Sequence, residues 1–144
     1  MTKPVFVAAA DAALAPVFGG DIYLTMPHSA SHAGLSIFED VRRPGDGPPL
    51  HVHHREDEFF RIVDGRFRLR VGEETFEAGA GDSFFLPRDI PHSFINSGDT
   101  VGRMVCICQP GGFEQFFLDV LAQGLRVPQD MGRIVELAAA YRLE

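Results

Sequence analysis

Between Gly45 and Gly65 the chain reads GDGPPLHVHHREDEFFRIVDG, which sets His51, His53 and His54 beside Glu56, Asp57 and Glu58. Imidazoles and carboxylates this dense either decorate a wetted surface or converge on a positive charge. If LHVHH is a strand, His51 and His53 share one face and His54 points away, because side chains alternate across a strand. Glu58 opens the next β-rich run, on the same face as Phe60 and Ile62, and Glu56 is the other candidate by parity. His92 opens the run HSFIN after the turn PRDIP. Two same-face imidazoles, a carboxylate from an adjoining segment and a distant third imidazole are a donor set for one divalent transition metal: Fe, Mn, Ni, Co, Cu or Zn. Four such ligands leave one or two coordination positions for water, oxygen or substrate. A set without thiolate also argues against a closed structural zinc site.

The elements that must position these groups are short. From Gly19 to Pro110, Gly, Pro, Asn and Asp punctuate β-rich runs at a spacing of about 8–12 residues, which predicts an antiparallel sandwich or barrel. Asp64-Gly65 reads as a two-residue type I′ hairpin between EFFRIV and RFRLRV. In RFRLRV, Arg66, Arg68 and Arg70 alternate with Phe67, Leu69 and Val71, so one face is buried and the arginine face is wet. After Pro110 the period changes. Phe113, Phe116, Phe117, Val120 and Leu121 predict an amphipathic helix that Gly124 stops. A second helix follows, with Asp130 as N-cap and Met131, Ile134, Val135, Ala138 and Tyr141 on one face. These aromatic faces read as packing that covers the outside or one end of the β-structure.

Composition bounds the partners. A chain of 144 residues with a net charge of −7 lacks the basic footprint of a nucleic-acid binder and has little attraction for anionic membranes. No apolar run reaches the ~18 residues of a transmembrane helix, and Asp11 and two prolines interrupt the N-terminal apolar stretch, so a cytoplasmic protein is expected. Cys106 and Cys108 sit two apart on one run, about 6.5 Å along a strand, a poor geometry for a disulfide; they read as small buried hydrophobes. His28 and His32 read as surface residues, with a place at a pocket entrance as the alternative. The whole chain, 1–144, reads as one domain, with a barrel over about 18–110 and helices over about 112–142.

Two stretches resemble the paired motifs of the cupin superfamily. Gly45, His51, His53, Glu58 and Gly65 match the first, and Gly81, Pro87, His92 and Asn96 match the second, with Asp89 in place of its middle glycine. The wording also resembles small quercetin 2,3-dioxygenase-like cupins. The resemblance implies an all-β antiparallel jelly-roll barrel with the two C-terminal helices appended, and His51, His53, Glu58 and His92 as ligands of one metal. Asp89 is expected to keep the turn, since Asp tolerates positive φ.

Phe60, Ile62 and Phe94 share parity with the ligands and are expected to line an apolar pocket. Asn96 follows on that face, with a loop-holding role as its alternative. The expected function is a metal-dependent dioxygenase acting on an aromatic or enediol, flavonol-like small molecule, with Glu58 as ligand or as a catalytic base. The alternatives are a non-oxidative isomerase or decarboxylase and a sensory cupin that binds without turnover. A homodimer is expected, because FFRIV and SFFLP are apolar on both faces and need covering.

Overall fold

A computed structural model describes residues 3–32 and 34–144. Among the described residues nine strands run β1 (Ala13–Val17), β2 (Gly20–Met26), β3 (Ser36–Arg42), β4 (Asp57–Asp64), β5 (Arg66–Val71), β6 (Glu74–Gly79), β7 (Ser83–Leu86), β8 (His92–Asn96) and β9 (Gly102–Gln109). Helices α1 (Glu114–Ala122) and α2 (Met131–Ala140) follow. All strand pairs are antiparallel, in one sheet of order β1-β2-β3-β9-β4-β7 and one of order β6-β5-β8. The jelly roll expected from the sequence is therefore present as two facing sheets, without a continuous ladder closing them into a barrel.

Three local expectations are corrected. Asp64-Gly65 is not a hairpin turn: β4 pairs with β7 and β9, while β5 pairs with β6 and β8. A type I′ turn needs positive φ at both residues, and only Gly65 has it, at 81°. The chain instead turns a corner from one sheet to the other. A Cβ at residue 65 would lie 2.8 Å from the Gly102 Cα, so the corner requires glycine. LHVHH forms no ladder, only isolated bridges from His51 to His92 and from His53 to Leu143. Finally, β1 begins upstream of residue 18, at the sheet edge, where Pro16 costs no ladder bond on its open side.

Alternation decides the interior. On β3, Ser36, Phe38, Asp40 and Arg42 are buried; on β4, Glu58, Phe60 and Ile62; on β9, Met104, Cys106 and Cys108; on β8, His92, Phe94 and Asn96. Both cysteines are free thiols in this core. On β5 the arginine face is exposed as read, and Arg68 pairs with Glu77.

Phe116, Phe117 and Val120 are the buried apolar face of α1; Leu121, expected with them, is 43% exposed. Gly124 stops the helix with φ of 63°, and Leu125 N–H returns to the Val120 carbonyl at 3.1 Å. Asp130 does not cap α2 with its side chain; its carboxylate accepts from Arg126 N–H instead, at 2.8 Å. No helix among the described residues is long and apolar enough to cross a membrane.

Candidate metal centre

Glu58 is the second residue of β4 and His92 the first of β8, both facing inward. His51 and His53 lie on an extended segment whose position other parts of the chain impose. His51 N–H and His92 N–H each donate to the other's carbonyl, at 3.0 and 2.9 Å. On the far side Val52 and Glu144 exchange backbone bonds at 2.8 and 3.0 Å, and His54 N–H donates to the Arg142 carbonyl. The segment thus alternates like a strand: His51 and His53 point in, and His54 points out to Asp89, 2.6 Å away. His51, His53, Glu58 and His92 each bring a ligand atom within 4.8 Å of the others.

Each imidazole has its Nδ1 engaged from behind. His51 Nδ1 lies 2.8 Å from the Pro49 carbonyl, and His92 Nδ1 lies 3.2 Å from the Ile90 carbonyl. A carbonyl only accepts, so both Nδ1 atoms carry the proton and both Nε2 lone pairs face the cluster. Behind His53 the partner is Glu56, 3.3 Å from Nδ1, buried and held by Arg55 at 2.8 Å. The parity ambiguity is thereby resolved, with Glu58 in the cluster and Glu56 supporting His53 from outside it. His92 Nε2 and Glu58 Oε2 approach to 2.8 Å without hydrogen-bond alignment, and both are buried without a hydrogen-bond partner. Two orphaned donor atoms in a buried site fit a cation that would satisfy both.

The charges suit that role. Burial opposes ionisation of Glu58, but the imidazoles of His53, His92 and His51 outweigh it and bring its pKa down to about 2. Burial and the neighbouring His92 push His51 down to about 4, so it is neutral at pH 7. His53 moves up: burial opposes the charge, and Glu58 and Glu56 favour it more strongly. The Cys108 thiol, kept protonated by burial, stands 3.5 Å from Glu58 Oε1.

Three of the four, His51, His53 and Glu58, line a cavity of about 210 Å³ whose walls are mostly apolar and include seven phenylalanines. Phe60 and Phe94 line it as expected; Ile62 and Asn96 do not. Ile62 is wholly buried. Asn96 is tied up in the wall: its Nδ2 donates to the Arg42 and Thr100 carbonyls at 2.9 and 2.8 Å, and its Oδ1 accepts from Gly98 N–H.

Other lining residues escaped the sequence reading. Phe113, Phe116 and Phe117 line the cavity as well as packing, because α1 closes its end. The Asp40–Arg42 ion pair also lines it, both residues nearly inaccessible. Its signal was available, since Asp40 and Arg42 share the buried parity of Phe38 on β3.

His28 and His32 line no part of the cavity. His28 is not simply a surface residue, since its ring meets buried Glu114 at 2.6 Å and ties the loop before β3 to α1. Asp57 faces outward and pairs with Arg88. Asp89 has φ of 67°, the conformation expected of the motif's missing glycine.

Comparison with known proteins bears on this site. Residues 41–108, which hold all four clustered side chains, match the family model of the cupin domain. The chain is similar to polyketide synthase CurC of Streptomyces cyaneus, 33% identical over 97 residues, covering 64% of this chain and 60% of that protein. It is also similar to 3-hydroxyanthranilate 3,4-dioxygenase of Meyerozyma guilliermondii, 29% identical over 85 residues, covering 56% and 50%. The match thus spans less than two thirds of either relative. Among solved structures, an RmlC-like cupin from Shewanella frigidimarina superposes with a TM-score of 0.67 over 80% of this chain and 99% of its own, at 20% identity, a likeness of fold.

Proposed function

We propose that the chain, whose residues 41–108 match the cupin domain model, is a metal-dependent enzyme whose centre is His51, His53, Glu58 and His92. Its substrate is a small aromatic or enediol compound, and its reaction is most simply a dioxygenation. The observation that carries this reading is the pair of orphaned atoms, Glu58 Oε2 and His92 Nε2, converging with two more imidazoles at the head of an apolar cavity. A divalent transition metal held there would supply Lewis acidity and a meeting place for an ionised enediol and dioxygen.

The chain's own groups do the remaining work. Glu58 balances part of the metal's charge. Glu56, Pro49 and Ile90 fix the imidazole tautomers, and a carboxylate–imidazole support of this kind is typically worth 10–100-fold in metal affinity or activity. The phenylalanines exclude water from the reacting atoms. The cavity also limits size. An engineered protein cavity of roughly 150 Å³ accommodates benzene, so 210 Å³ suits one substituted ring or two fused rings and is small for a three-ring flavonol.

The similarity to a protein named as a polyketide synthase favours a second reading, in which the same centre rearranges an oxygenated ring without dioxygen. One experiment separates the two. Untagged protein is loaded in turn with each candidate metal, and oxygen uptake and substrate NMR are recorded with one- and two-ring enediols. Oxygen consumption matching substrate loss supports the dioxygenase. Substrate conversion without uptake supports the non-oxidative enzyme. No conversion with any metal overturns both.

A further inference from the structure

The cavity has a second polar pole, formed by Asp40 and Arg42. Three things hold the guanidinium. Arg42 Nε and Nη2 donate to Asp40 Oδ1 and Oδ2 at 2.5 and 2.9 Å, and Nη1 donates to the Phe18 carbonyl at 2.5 Å. Its Cζ stands over the Phe94 ring, 5.7 Å from the centroid. Gly20 leaves the necessary room, since a Cβ there would lie 2.5 Å from Arg42 Cζ. Of five guanidinium N–H groups, these bonds use three, leaving one each on Nη1 and Nη2 among the described residues.

Strand register fixes the spacing. Glu58 lies in a row with Cys108 and Ser36; the next inward row is Phe60, Cys106 and Phe38; the third is Ile62, Met104 and Asp40. Four residues along a strand separate the Glu58 and Asp40 rows, roughly 13 Å of backbone. Aromatic rings flank the interval: His92 to Phe60 at 6.4 Å, then Phe60 to Phe94 at 5.5 Å, measured between centroids. A buried ion pair is expensive and contributes little net stability over apolar packing, so its place in a cavity wall asks for a further role.

We propose that Asp40 and Arg42 recognise an uncharged oxygen, a ketone or hydroxyl, at the far end of a one- or two-ring substrate whose other end meets the histidine cluster. Arg42 donates to that oxygen, and Asp40 accepts from it when it is a hydroxyl. Asp40 already neutralises Arg42, so the pair offers no net positive charge and disfavours a carboxylate there. The proposal rests on the metal-centred reading above and adds the substrate's second recognition point.

The test uses cobalt(II)-loaded protein, reading the visible cobalt absorption during titration with three two-ring catechols. These are 6,7-dihydroxycoumarin with a far carbonyl, 2,3-dihydroxynaphthalene with none, and 6,7-dihydroxy-2-naphthoate with a far carboxylate. The expected order in the native chain places the coumarin at least about 10-fold tighter than the naphthalenediol, the scale of a buried hydrogen bond to a charged group, and the naphthoate weakest. In Asp40→Leu/Arg42→Met, which replaces both charges at once and spares the fold an unpaired ion, the naphthalenediol becomes the tightest binder. Gly20→Ala, which pushes the guanidinium aside and keeps its charge, loses the coumarin preference and stands in for the double variant should that fail to fold. An absent preference in the native chain, or the same preference in the variants, overturns the second pole and leaves the metal reading intact. A cobalt spectrum unmoved by all three catechols overturns the metal reading and this proposal with it.

Discussion

Replacing Glu58 by Gln keeps the shape of the side chain and one oxygen donor while removing its charge. Two effects can be sized from the structure. The first concerns the metal-free chain. A carboxylate held at about 2 rather than 4.5 corresponds to about 3 kcal/mol of stability. A depressed carboxylate contributes that stability above pH 4.5 and loses it as pH falls toward 2, so the variant should lack this acid-induced loss. The second concerns metal affinity. The four ligand atoms lie within 4.8 Å of one another, so a cation among them sits close to the carboxylate. Opposite unit charges at 4 Å in a site of effective dielectric 20 attract by about 4 kcal/mol. Allowing for the amide oxygen that remains, metal affinity should fall at least about 100-fold. Glu58 has too little affinity for a proton to serve well as a general base at neutral pH, since an effective base has a pKa near the working pH. Metal content and rate should therefore fall together, and excess metal should restore part of the rate. The assay is metal analysis beside turnover on the same preparation, over a range of added metal. Full metal occupancy with a rate down about 100-fold would show that Glu58 takes a substrate proton and would refute the ligand-only argument.

Three further outcomes are expected. Metal-free protein should lose stability in urea unfolding as pH falls from 6.5 to 4: the lowered His51 is stabilising above 6.5 and that contribution disappears down to about 4, while the contribution of His53, raised by Glu58 and Glu56, is already present in full below 6.5 and does not change over this window. A flat profile over that window would remove the burial argument for His51. Asn96→Ala breaks three hydrogen bonds of a buried side chain and should cost about 2–4 kcal/mol in thermal or denaturant unfolding, leaving substrate affinity unchanged; a KM change without destabilisation would return Asn96 to the substrate. The outer face of the larger sheet carries an apolar row through Phe85, Phe59, Ile107 and Ile37 in direct register, and Phe85 is 65% exposed. Light scattering should give twice 15.8 kDa for the native chain and a shift toward 15.8 kDa for Phe85→Glu; a native mass of one chain counts against the dimer.

The sequence by itself determined what is local. Residue order and two-residue alternation were enough to expect short antiparallel strands, to put His51, His53 and His54 on their correct sides, and to assign the arginine face of β5 to solvent. Motif spacing named four side chains that do come together. Register and packing between distant segments were decided only in three dimensions, because period-2 alternation fixes which face a residue takes but not what lies opposite. Asp64-Gly65 has hairpin composition, yet sheet pairing makes it a corner. Parity could not separate Glu56 from Glu58; the placement of His53 between them did. Ile62 and Asn96 share the ligands' face but lie outside the cavity lining, and α1 with the residue before it supplies Phe113, Phe116 and Phe117 from a region with no motif at all. Parity with Phe38 places Asp40 and Arg42 on the inner face of β3, but that they pair beside the cavity is decided by the whole tertiary structure.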